Sequence, residues 1–457
     1  MAIKDYDKEM FGEKINRLLF PAQPVNSIEH LFGREKELGR IERALYAAGR
    51  HIFIFGDRGI GKSSLAATAA NQYQSSDAEY IDVSCSPDSN FSDVIANIAY
   101  KAVNESRFSK RTYSESLGVN LRFLNYKNDR NVTLKEIHNE VRSLLDAVEI
   151  LREVSLIYSK KTIVVVDEFD RMQDAKERAL FADLLKHLGD KRVNIKFIFT
   201  GVSATINDLL GAHESAIRQL ETIELSKMNW DARWHIVLNA LDNFNIGIDR
   251  EILIRIAAVS DGYPYYVHLI TEKLMWHLFS KDENVDQVSK DDYHIALNDA
   301  IESISAELKL PYEKATLQRS TDFEKILWAT ADSEYLHRYI KDMYSSYKFV
   351  MKQFPDEPVL DKNQFGTKVR SLKKISHGEI LLSDDSKSGL YVYKEKVLRG
   401  YVRMQAESHG VELIGEVEQE KVIQHATARA STGYCQSKIP EGVHQGRSRS
   451  LEKNGDE

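Results

Sequence analysis

Residues 51–65, HIFIFGDRGIGKSSL, constrain the fold of this chain more strongly than any other stretch. Residues 51–55 include four consecutive bulky apolar side chains, which is the pattern of a short strand buried on both faces. Residues 56–63 then fit G-x-x-x-x-G-K-[ST] at every fixed position, and the helix formers of residues 65–67 follow. A strand, a glycine-rich loop and a helix in this order are the context that a phosphate-binding loop requires. The stretch therefore predicts an α/β fold with a nucleotide site.

The residue types of this loop follow from the chemistry of a polyphosphate. Glycines let backbone N–H groups approach the phosphates closely, and the positive end of the following helix favours the anion. We expect Lys62 to reach the β- and γ-phosphates and the Ser63 hydroxyl to hold Mg²⁺. The strand and helix context disfavours the alternative, a glycine turn beside a surface lysine. The candidate nucleotide-binding residues are Gly56, Asp57, Arg58, Gly59, Ile60, Gly61, Lys62, Ser63 and Ser64.

The composition restricts the class of protein further. With 457 residues, 42% of them hydrophobic and 29% charged, the chain is expected to form two or three soluble domains. The net charge of -7 excludes a uniformly polycationic nucleic-acid binder and leaves room for a local basic face. Cys85 and Cys435 are too few for a disulfide framework or a metal-ligand cluster. The polar N-terminus and the lack of a long apolar run predict a cytoplasmic protein without membrane contact.

A second motif lies at residues 161–170, KTIVVVDEFD. Its β-branched apolar run predicts a buried parallel strand, and two carboxylates follow at the carboxyl end of that strand. Ligands of open α/β sheets bind beyond the carboxyl ends of the strands. Asp167 is therefore placed to hold Mg²⁺, and Glu168 is placed to act as the general base. Acidic residues at such a position also serve as helix caps or ion-pair partners, but their place after a phosphate-binding loop favours the catalytic interpretation.

Three further strands are predicted around these two motifs, at residues 79–84, 195–203 and 222–225. A helix is expected at about residues 89–104, and a long one at about residues 134–159. A strand interposed between the phosphate-loop strand and the Asp-Glu strand would give the order 5-1-4-3-2 in a parallel sheet, which the lengths of the crossovers allow. The core is thus predicted to be a sheet of about five parallel strands with helices on both faces.

The segment before the first strand includes residues 30–38, HLFGREKEL, and continues with apolar residues at helical spacing. By itself it predicts only an amphipathic helix that packs on the sheet. It also resembles the F-x-G-R-E-x-E-L segment of AAA+ ATPases of the origin-recognition/Cdc6 and STAND types. In those families the loop before this helix lies against the adenine. The resemblance therefore implicates Val25, Gly33 and Arg34 in nucleotide binding.

The resemblance extends to residues 261–268, DGYPYYVH, which are similar to the G-x-P element in the lids of such ATPases. It implies that Pro264 starts a helix near the nucleotide, as the fixed φ of proline allows. The arginine often found in this lid is not apparent here. His268 could replace it, although an ordinary half-buried histidine is the favoured interpretation.

Two more roles follow only from this resemblance. Thr200 or Ser203 falls where the class places a hydroxyl that senses the γ-phosphate, with a simple strand-end cap as the alternative. Arg218 precedes the last strand and resembles the arginine finger that AAA+ proteins insert into a neighbouring subunit's site. A surface salt bridge is the alternative role for Arg218.

The C-terminal part of the chain resembles the winged-helix domain of the same ATPases. A helix at about residues 362–375 is followed by a hairpin of residues 379–382 and 390–393. A winged helix used for packing or autoinhibition is the alternative to one that binds DNA. Polar residues 105–133 predict an inserted hairpin or mobile loop, and residues 416–457 predict a disordered tail. The basic residues of the helix that are candidates for reading a DNA major groove are Lys368, Arg370, Lys373 and Lys374.

We therefore expect an α/β P-loop ATPase core at residues 1–228, a helical lid at 229–310 and a winged-helix domain at 320–410. The resemblance implies an ATPase of the AAA+ or STAND type that hydrolyses ATP with Mg²⁺, forms homo-oligomers and acts on DNA or a separate effector protein. DNA loading, transposition targeting and antiviral defence are outputs of such families. The alternative is a nucleotide-gated DNA-binding or scaffold protein with negligible turnover, against which the intact Glu168 argues. A kinase-like phosphotransferase is disfavoured because no acceptor-site motif is found.

Overall fold

The computed structural model describes residues 3–105, 133–202, 216–317, 319–384 and 389–413. The predicted inserted loop, except at its ends, lies outside these residues, as do Ser203 and the predicted C-terminal tail. Within the described ranges, no helix is both long enough and apolar enough to cross a membrane.

Both sequence motifs lie in one parallel sheet. Its strands are β1 His51–Gly56, β2 Ile81–Ser84, β3 Thr162–Asp167, β4 Ile195–Gly201 and β5 Leu220–Leu225. They run side by side in the order β2-β3-β4-β1-β5, which confirms the predicted order 5-1-4-3-2. Ile54 of β1 pairs with Thr200 of β4, and Val166 of β3 pairs with Phe199. The phosphate loop and the Asp-Glu motif therefore meet at the same edge of the sheet.

Helices cover both faces of this sheet, which confirms the predicted fold class. On one face, Ile41 and Leu65, from two helices, belong to the same apolar cluster as residues of β1 and β3. On the other face, Ile95, Leu151 and Leu185, from three further helices, form a second cluster with β1 and β3. Central strands covered on both faces explain the continuous apolar runs of β1, β3 and β4. The helices up to β5 are α1 Lys8–Leu18, α2 Glu35–Tyr46, α3 Lys62–Tyr73, α4 Phe91–Glu105, α5 Leu134–Glu140, α6 Leu144–Ile157, α7 Ala175–Asp190 and α8 Ala216–Gln219.

The prediction of one long helix at residues 134–159 is wrong, because α5 and α6 are separate helices. The side chain of Ser143 accepts a hydrogen bond of 3.2 Å from the backbone N–H of Asp146 and caps the start of α6. Such a cap satisfies a backbone donor that has no partner in the first helical turn. An N-cap inside a continuous apolar pattern thus divides the segment into two helices.

A helical segment, residues 229–316, follows β5. Pro264 is the first residue of the helix Pro264–Ser280, as predicted. At that position its missing N–H needs no partner within the helix. α1 packs on this segment, where the ring of Phe11 stacks on Phe279 at a centroid distance of 4.2 Å. The elements are α9 Trp230–Asp242, β6 Gly247–Ile248, α10 Arg250–Val259, α11 Pro264–Ser280, β7 Gln287–Val288, α12 Lys290–Ser303 and α13 Ala306–Thr316.

A C-terminal segment, residues 319–413, combines four helices of the described chain with a small antiparallel sheet of order β8-β10-β9. The predicted helix at 362–375 is shorter in the structure and ends at Ser371. Lys374 is extended, and its carbonyl accepts from the N–H of His377, so a separate 3₁₀ turn replaces the last helical turn. The elements are α14 Asp322–Ala331, β8 Arg338–Tyr339, α15 Ile340–Met351, α16 Lys362–Ser371, β9 Leu381–Ser383, β10 Leu390–Tyr393 and α17 Leu398–Ser408.

A buried group of charges joins the C-terminal segment to the helical segment. We call Asp261, Lys227, Arg399 and Arg403 the Asp261 cluster. The Asp261 carboxylate accepts two hydrogen bonds from Arg399, at 2.6 and 2.7 Å, and lies 3.2 Å from Arg403 and 2.7 Å from Lys227. Burial alone would raise the pKa of Asp261, but Arg403 and Arg399 outweigh it and hold the pKa well below its usual range. The cluster therefore fixes α17 to the turn that precedes α11.

Candidate nucleotide site

The phosphate-binding loop connects β1 to α3 and depends on glycine at two positions above all. Gly56 has a φ of 156°, and a Cβ there would lie 2.5 Å from the carbonyl oxygen of Leu225. Gly61 has a φ of 97° and is the residue from which α3 starts. Residues with a side chain rarely adopt such backbone conformations, so the loop geometry explains the two fixed glycines of the motif. The first N–H groups of α3 therefore face the edge of the sheet, where an anion would be stabilised.

The ammonium group of Lys62 is held by its own loop. Its Nζ donates to the carbonyl oxygens of Gly56 at 3.1 Å and Asp57 at 2.9 Å. Burial lowers the pKa of Lys62, and the nearby carboxylates, Asp170 first and then Asp167, oppose that shift. The lysine is thus bound to neutral acceptors while negative charge surrounds it at longer range.

Ser63 and Asp167 come together across the edge of the sheet. The Ser63 hydroxyl donates to Oδ1 of Asp167 at 3.0 Å. The Thr200 hydroxyl donates to the same Oδ1, and the backbone N–H of Glu168 donates to Thr200 Oγ1 at 3.1 Å. Hydroxyl and carboxylate oxygens are the ligands that Mg²⁺ prefers, so Ser63 and Asp167 fit the magnesium site predicted for them. Thr200 thus holds both the side chain of Asp167 and the backbone of Glu168 in place.

Glu168 has a left-handed backbone conformation, with a φ of 52°, which is uncommon for a residue other than glycine. Its carboxylate is about half exposed and forms an ion pair of 3.1 Å with Arg171. The side chain also lines the cavity beside the phosphate loop. The proposed general base is therefore at the expected edge, with a cation that sequence reasoning did not identify beside it.

A cavity of about 590 Å³ extends from the phosphate loop into the space between the sheet and the helical segment. Residues from Arg58 to Ser64 line one end, together with Asp167, Glu168 and Thr200. Val25, Arg34 and Pro264 also line the cavity, as the resemblance implied. Gly33 is not among the residues that line the cavity. It packs against α9, where a Cβ at Gly33 would lie 2.6 Å from the Cβ of Ala232.

Several of these residues hold the site together through their side chains. Arg34 is buried and donates to the carbonyl oxygens of Ile60 at 3.2 Å and Ser226 at 2.8 Å. The Ser64 hydroxyl accepts a 3.1 Å hydrogen bond from the backbone N–H of Val25. Arg34 therefore supports the loop from behind, and Ser64 holds the segment before the first strand against α3.

The outer side of the phosphate loop contacts two later parts of the chain. Asp57 forms an ion pair of 2.6 Å with Lys396, and Arg58 forms one of 3.1 Å with Glu307. Sequence reasoning missed Lys396 because no motif surrounds it. It also missed Asp170, the last residue of the VDEFD motif, which is the carboxylate that most strongly opposes the lowering of the Lys62 pKa.

Arg218 lies at the opposite end of the sheet from the phosphate loop. It is exposed and lines a separate cavity of about 700 Å³ at the amino ends of β3 and β4. The structure therefore does not bring Arg218 to the nucleotide site of its own chain. His268, a possible replacement for the lid arginine that was expected to be an ordinary half-buried histidine, lines the nucleotide cavity and is buried.

The strand order, the glycine loop and the paired Ser63 and Asp167 define a P-loop NTPase fold. Residues 30–198 match the family model described as the AAA ATPase domain. This match confirms, for this part of the chain, the resemblance to AAA+ ATPases drawn from the sequence.

Similar solved structures include archaeal proteins that match most of the chain. The Walker-type ATPase of Pyrococcus abyssi is 16% identical, covers 84% of this chain and 99% of its own, and has a TM-score of 0.47. Cdc6p of Pyrobaculum aerophilum is 17% identical over 87% of this chain and 99% of its own, with a TM-score of 0.43. The ORC1 protein of Aeropyrum pernix, solved in complex with DNA, is 13% identical over 82% and 93%, with a TM-score of 0.39. No curated protein matches the sequence.

Proposed function

We propose that this chain binds ATP with Mg²⁺ in the 590 Å³ cavity and hydrolyses its terminal phosphoanhydride bond. The observation that carries this proposal is the convergence of Lys62, Ser63, Asp167 and Glu168 at one edge of the sheet. These are the groups that phosphoryl transfer to water requires, namely a cation, a metal site and a base.

Lys62 binds the phosphates in this proposal. Its ammonium rests on the carbonyl oxygens of Gly56 and Asp57, which are neutral acceptors. Charged phosphate oxygens form stronger hydrogen bonds with an ammonium group, so Lys62 turns from its own loop to the β- and γ-phosphates. Ser63 Oγ and Asp167 would hold Mg²⁺, which when bound neutralises charge on the phosphates.

Glu168 acts as the general base for the attacking water, and Thr200 positions Glu168. The hydrogen bond from the Glu168 N–H to Thr200 Oγ1 sets the backbone from which the carboxylate extends. The ion pair with Arg171 occupies that carboxylate. Arg171 must therefore release or re-orient Glu168 when the site becomes active.

Assembly and partners form the remaining part of the proposal. Arg218 lies far from its own phosphate loop, which supports a role in the site of a neighbouring copy.

The element order α14-β8-α15-α16-β9-β10 supports a winged-helix domain, for which DNA is a candidate partner. Lys368 pairs with Asp322, and Lys373 and Arg370 donate to the hydroxyls of Ser383 and Thr367. Lys374 is therefore the better candidate for a contact with phosphate. The family output, whether DNA loading, transposition or defence, would be set by a separate partner protein.

The Glu168–Arg171 ion pair also favours a second candidate function, a nucleotide-gated scaffold with negligible turnover. A carboxylate that is bound to a guanidinium is not free to accept a hydrogen bond from the attacking water. In that case ATP binding alone would change the affinity for a partner. Arg171→Ala should then raise a very low rate of hydrolysis.

The decisive test is ATP hydrolysis by the purified protein, alone and with duplex DNA, together with light scattering to follow assembly. Glu168→Gln should bind ATP and assemble, while turnover falls by about 10²–10⁴-fold, as expected for loss of a general base. Lys62→Ala should lose ATP binding, whereas the exposed Lys36→Ala serves as the matched control. Binding of ATP without hydrolysis or assembly under any of these conditions would contradict the ATPase proposal and favour the scaffold.

A further inference from the structure

Arg171 lies next to the proposed general base and lines the cavity in which a terminal phosphate would bind. Its guanidinium forms the 3.1 Å ion pair with the Glu168 carboxylate, and its side chain is 51% exposed. Lys62 and Ser63 of the phosphate loop line the same cavity. The guanidinium is therefore accessible to a ligand, and its present partner is the carboxylate that must be free during hydrolysis.

The backbone keeps Arg171 close to Glu168. The two residues belong to a single 3₁₀ turn, in which the N–H of Arg171 donates to the carbonyl oxygen of Glu168 at 2.8 Å. The N–H of Glu168 is held in turn by the hydroxyl of Thr200 at 3.1 Å. An arginine side chain on such a fixed turn can exchange one partner for another by rotating its own bonds, without movement of the sheet.

The other arginines among the described residues that line the cavity are Arg34 and Arg58, and both have partners elsewhere. Arg34 is buried and donates to backbone carbonyl oxygens. Arg58 pairs with Glu307 on the outer side of the phosphate loop. Release of either residue would leave the general base as it is, whereas release of Arg171 would also free Glu168.

A terminal phosphate would compete well with Glu168 for this guanidinium. An exposed ion pair contributes little, because solvent screens both charges. A phosphoryl group carries more charge than a carboxylate and offers three oxygens, to which arginine can form two parallel hydrogen bonds. ADP lacks the γ-phosphate, so the ion pair between Arg171 and Glu168 would persist when ADP is bound.

We propose that Arg171 exchanges Glu168 for the γ-phosphate when ATP binds, so that the substrate itself frees the general base. In the hydrolytic step, the oxygen of water bonds to the γ-phosphorus and the bond from this phosphorus to the β–γ bridging oxygen breaks, while Glu168 takes a proton from the water. Arg171 stabilises the charge on the transferred group. The inference rests on the proposed ATPase function and assigns a further catalytic residue to it.

Binding of ATP and ADP, each with Mg²⁺, tests the contact without hydrolysis. Both nucleotides are titrated calorimetrically into the Glu168→Gln protein and into Glu168→Gln combined with Arg171→Ala. The second substitution should weaken ATP binding about 10–100-fold, as expected for loss of a charged hydrogen bond, and leave ADP binding unchanged. Arg152→Ala is the matched control, because Arg152 also pairs with a glutamate three residues before it, at 2.8 Å, and does not line the cavity.

Turnover separates this role from simple inhibition of the base. In the protein with Glu168 intact, Arg171→Ala should lower kcat about 10²–10³-fold, as does loss of one donor to a transition state. Arg171→Lys keeps the charge and should recover part of the rate. Thermal unfolding should show that each variant is folded.

A higher kcat in Arg171→Ala would mean that Arg171 only inhibits Glu168, which would overturn the inference and favour the scaffold function. Equal weakening of ATP and ADP binding would also overturn it, because only ATP has a γ-phosphate. ATP binding that does not change with Arg171→Ala refutes the exchange alone and leaves the ATPase proposal standing. If the Glu168→Gln protein binds neither nucleotide, the nucleotide site itself is refuted.

Discussion

The nucleotide site and the Asp261 cluster contain the same kinds of charged residues, but these residues have different partners in the two places. In the Asp261 cluster, one carboxylate is bound by two arginines and a lysine, and the remaining arginine donors reach backbone carbonyls of residues such as Tyr335 and Ala331. In the nucleotide site, Lys62 rests on carbonyl oxygens and Asp167 on hydroxyl groups. Among the described residues, no salt bridge joins these two opposite charges.

The difference separates charges that maintain the structure from charges that are available to a ligand. A buried charge with a complete set of partners is costly to disturb but gains nothing from a ligand. Oppositely charged groups held apart by neutral partners can each bind a ligand group without first breaking an ion pair. The predictions below test this distinction, from the largest expected effect to the smallest.

Asp261→Asn should produce the largest loss of stability. Asparagine keeps the shape and tolerates the positive φ of 51° at this position, but it leaves Arg399 and Arg403 buried without a counter-ion. Removing one partner of a buried ion pair typically costs about 3–5 kcal/mol. Urea unfolding measures the loss, and the exposed Asp282→Asn should change stability by less than about 0.5 kcal/mol. A loss no larger than that of the control would show that the cluster does not maintain the fold.

Thr200→Val should impair catalysis more than stability. The substitution keeps the volume of the side chain but removes the acceptor of the Glu168 N–H and a donor to Asp167. We expect turnover to fall about 10–100-fold, equivalent to one or two lost hydrogen bonds. Steady-state kinetics measure the effect, and Thr200→Ser, which keeps the hydroxyl, should recover most of the rate. Equal rates for the valine and serine variants would exclude a role for the hydroxyl.

Lys227 should make stability depend on pH in alkaline solution. Burial lowers the pKa of Lys227 to about 8, against an unfolded value of about 10.4. Between these values the unfolded chain holds a proton that the folded protein has released, so the free energy of unfolding rises with pH. The slope reaches at most about 1.4 kcal/mol per pH unit.

Unfolding of the protein and of Lys227→Met at pH 8 to 10 isolates this contribution, since other groups titrate alike in both. The difference in unfolding free energy between the two proteins should change with pH in that window. A constant difference would place the pKa of Lys227 near its ordinary value and contradict the effect of burial on this lysine.

Lys396→Ala should have the smallest effect. The Asp57–Lys396 ion pair is partly exposed, with side-chain accessibilities of 28% and 34%, so its removal should cost only about 0.2–1 kcal/mol. Salt should reduce even this difference, because solvent screens exposed charges. Thermal unfolding at low and high salt measures it, with Lys394→Ala, which breaks the exposed pair with Glu379, as the matched control. A loss above 2 kcal/mol would mean that the pair resembles the Asp261 cluster.

The parts of the molecule that local patterns encode could be predicted from the sequence. The phosphate loop, the Asp-Glu strand and the order of the sheet were predicted because each depends on a short motif or on a topological rule. The division between α5 and α6 was missed although Ser143 and Asp146 have the spacing of an N-cap. The apolar pattern continues across the break between the two helices, and the prediction followed that pattern instead of the capping signal.

The Asp261 cluster could not be predicted from the sequence. Its members come from the end of β5, the turn before α11, and α17, and no periodic pattern links them. The same holds for the nucleotide cavity, where Phe20, His30 and His268 meet only because α11 packs over the segment before the first strand. Long-range contacts of this kind depend on the packing of whole elements rather than on local sequence.

The contacts of the phosphate loop with later parts of the chain have a consequence for synthesis on the ribosome. A Cβ at Gly61 would lie 3.7 Å from Pro264, and one at Gly59 would lie 3.4 Å from Val397. At a translation rate of about 5–20 residues per second, the second of these neighbours emerges on the order of tens of seconds after the loop itself. A nascent chain whose sheet has already formed thus still lacks the residues that enclose its phosphate loop, and the nucleotide site is completed only after Val397 has emerged.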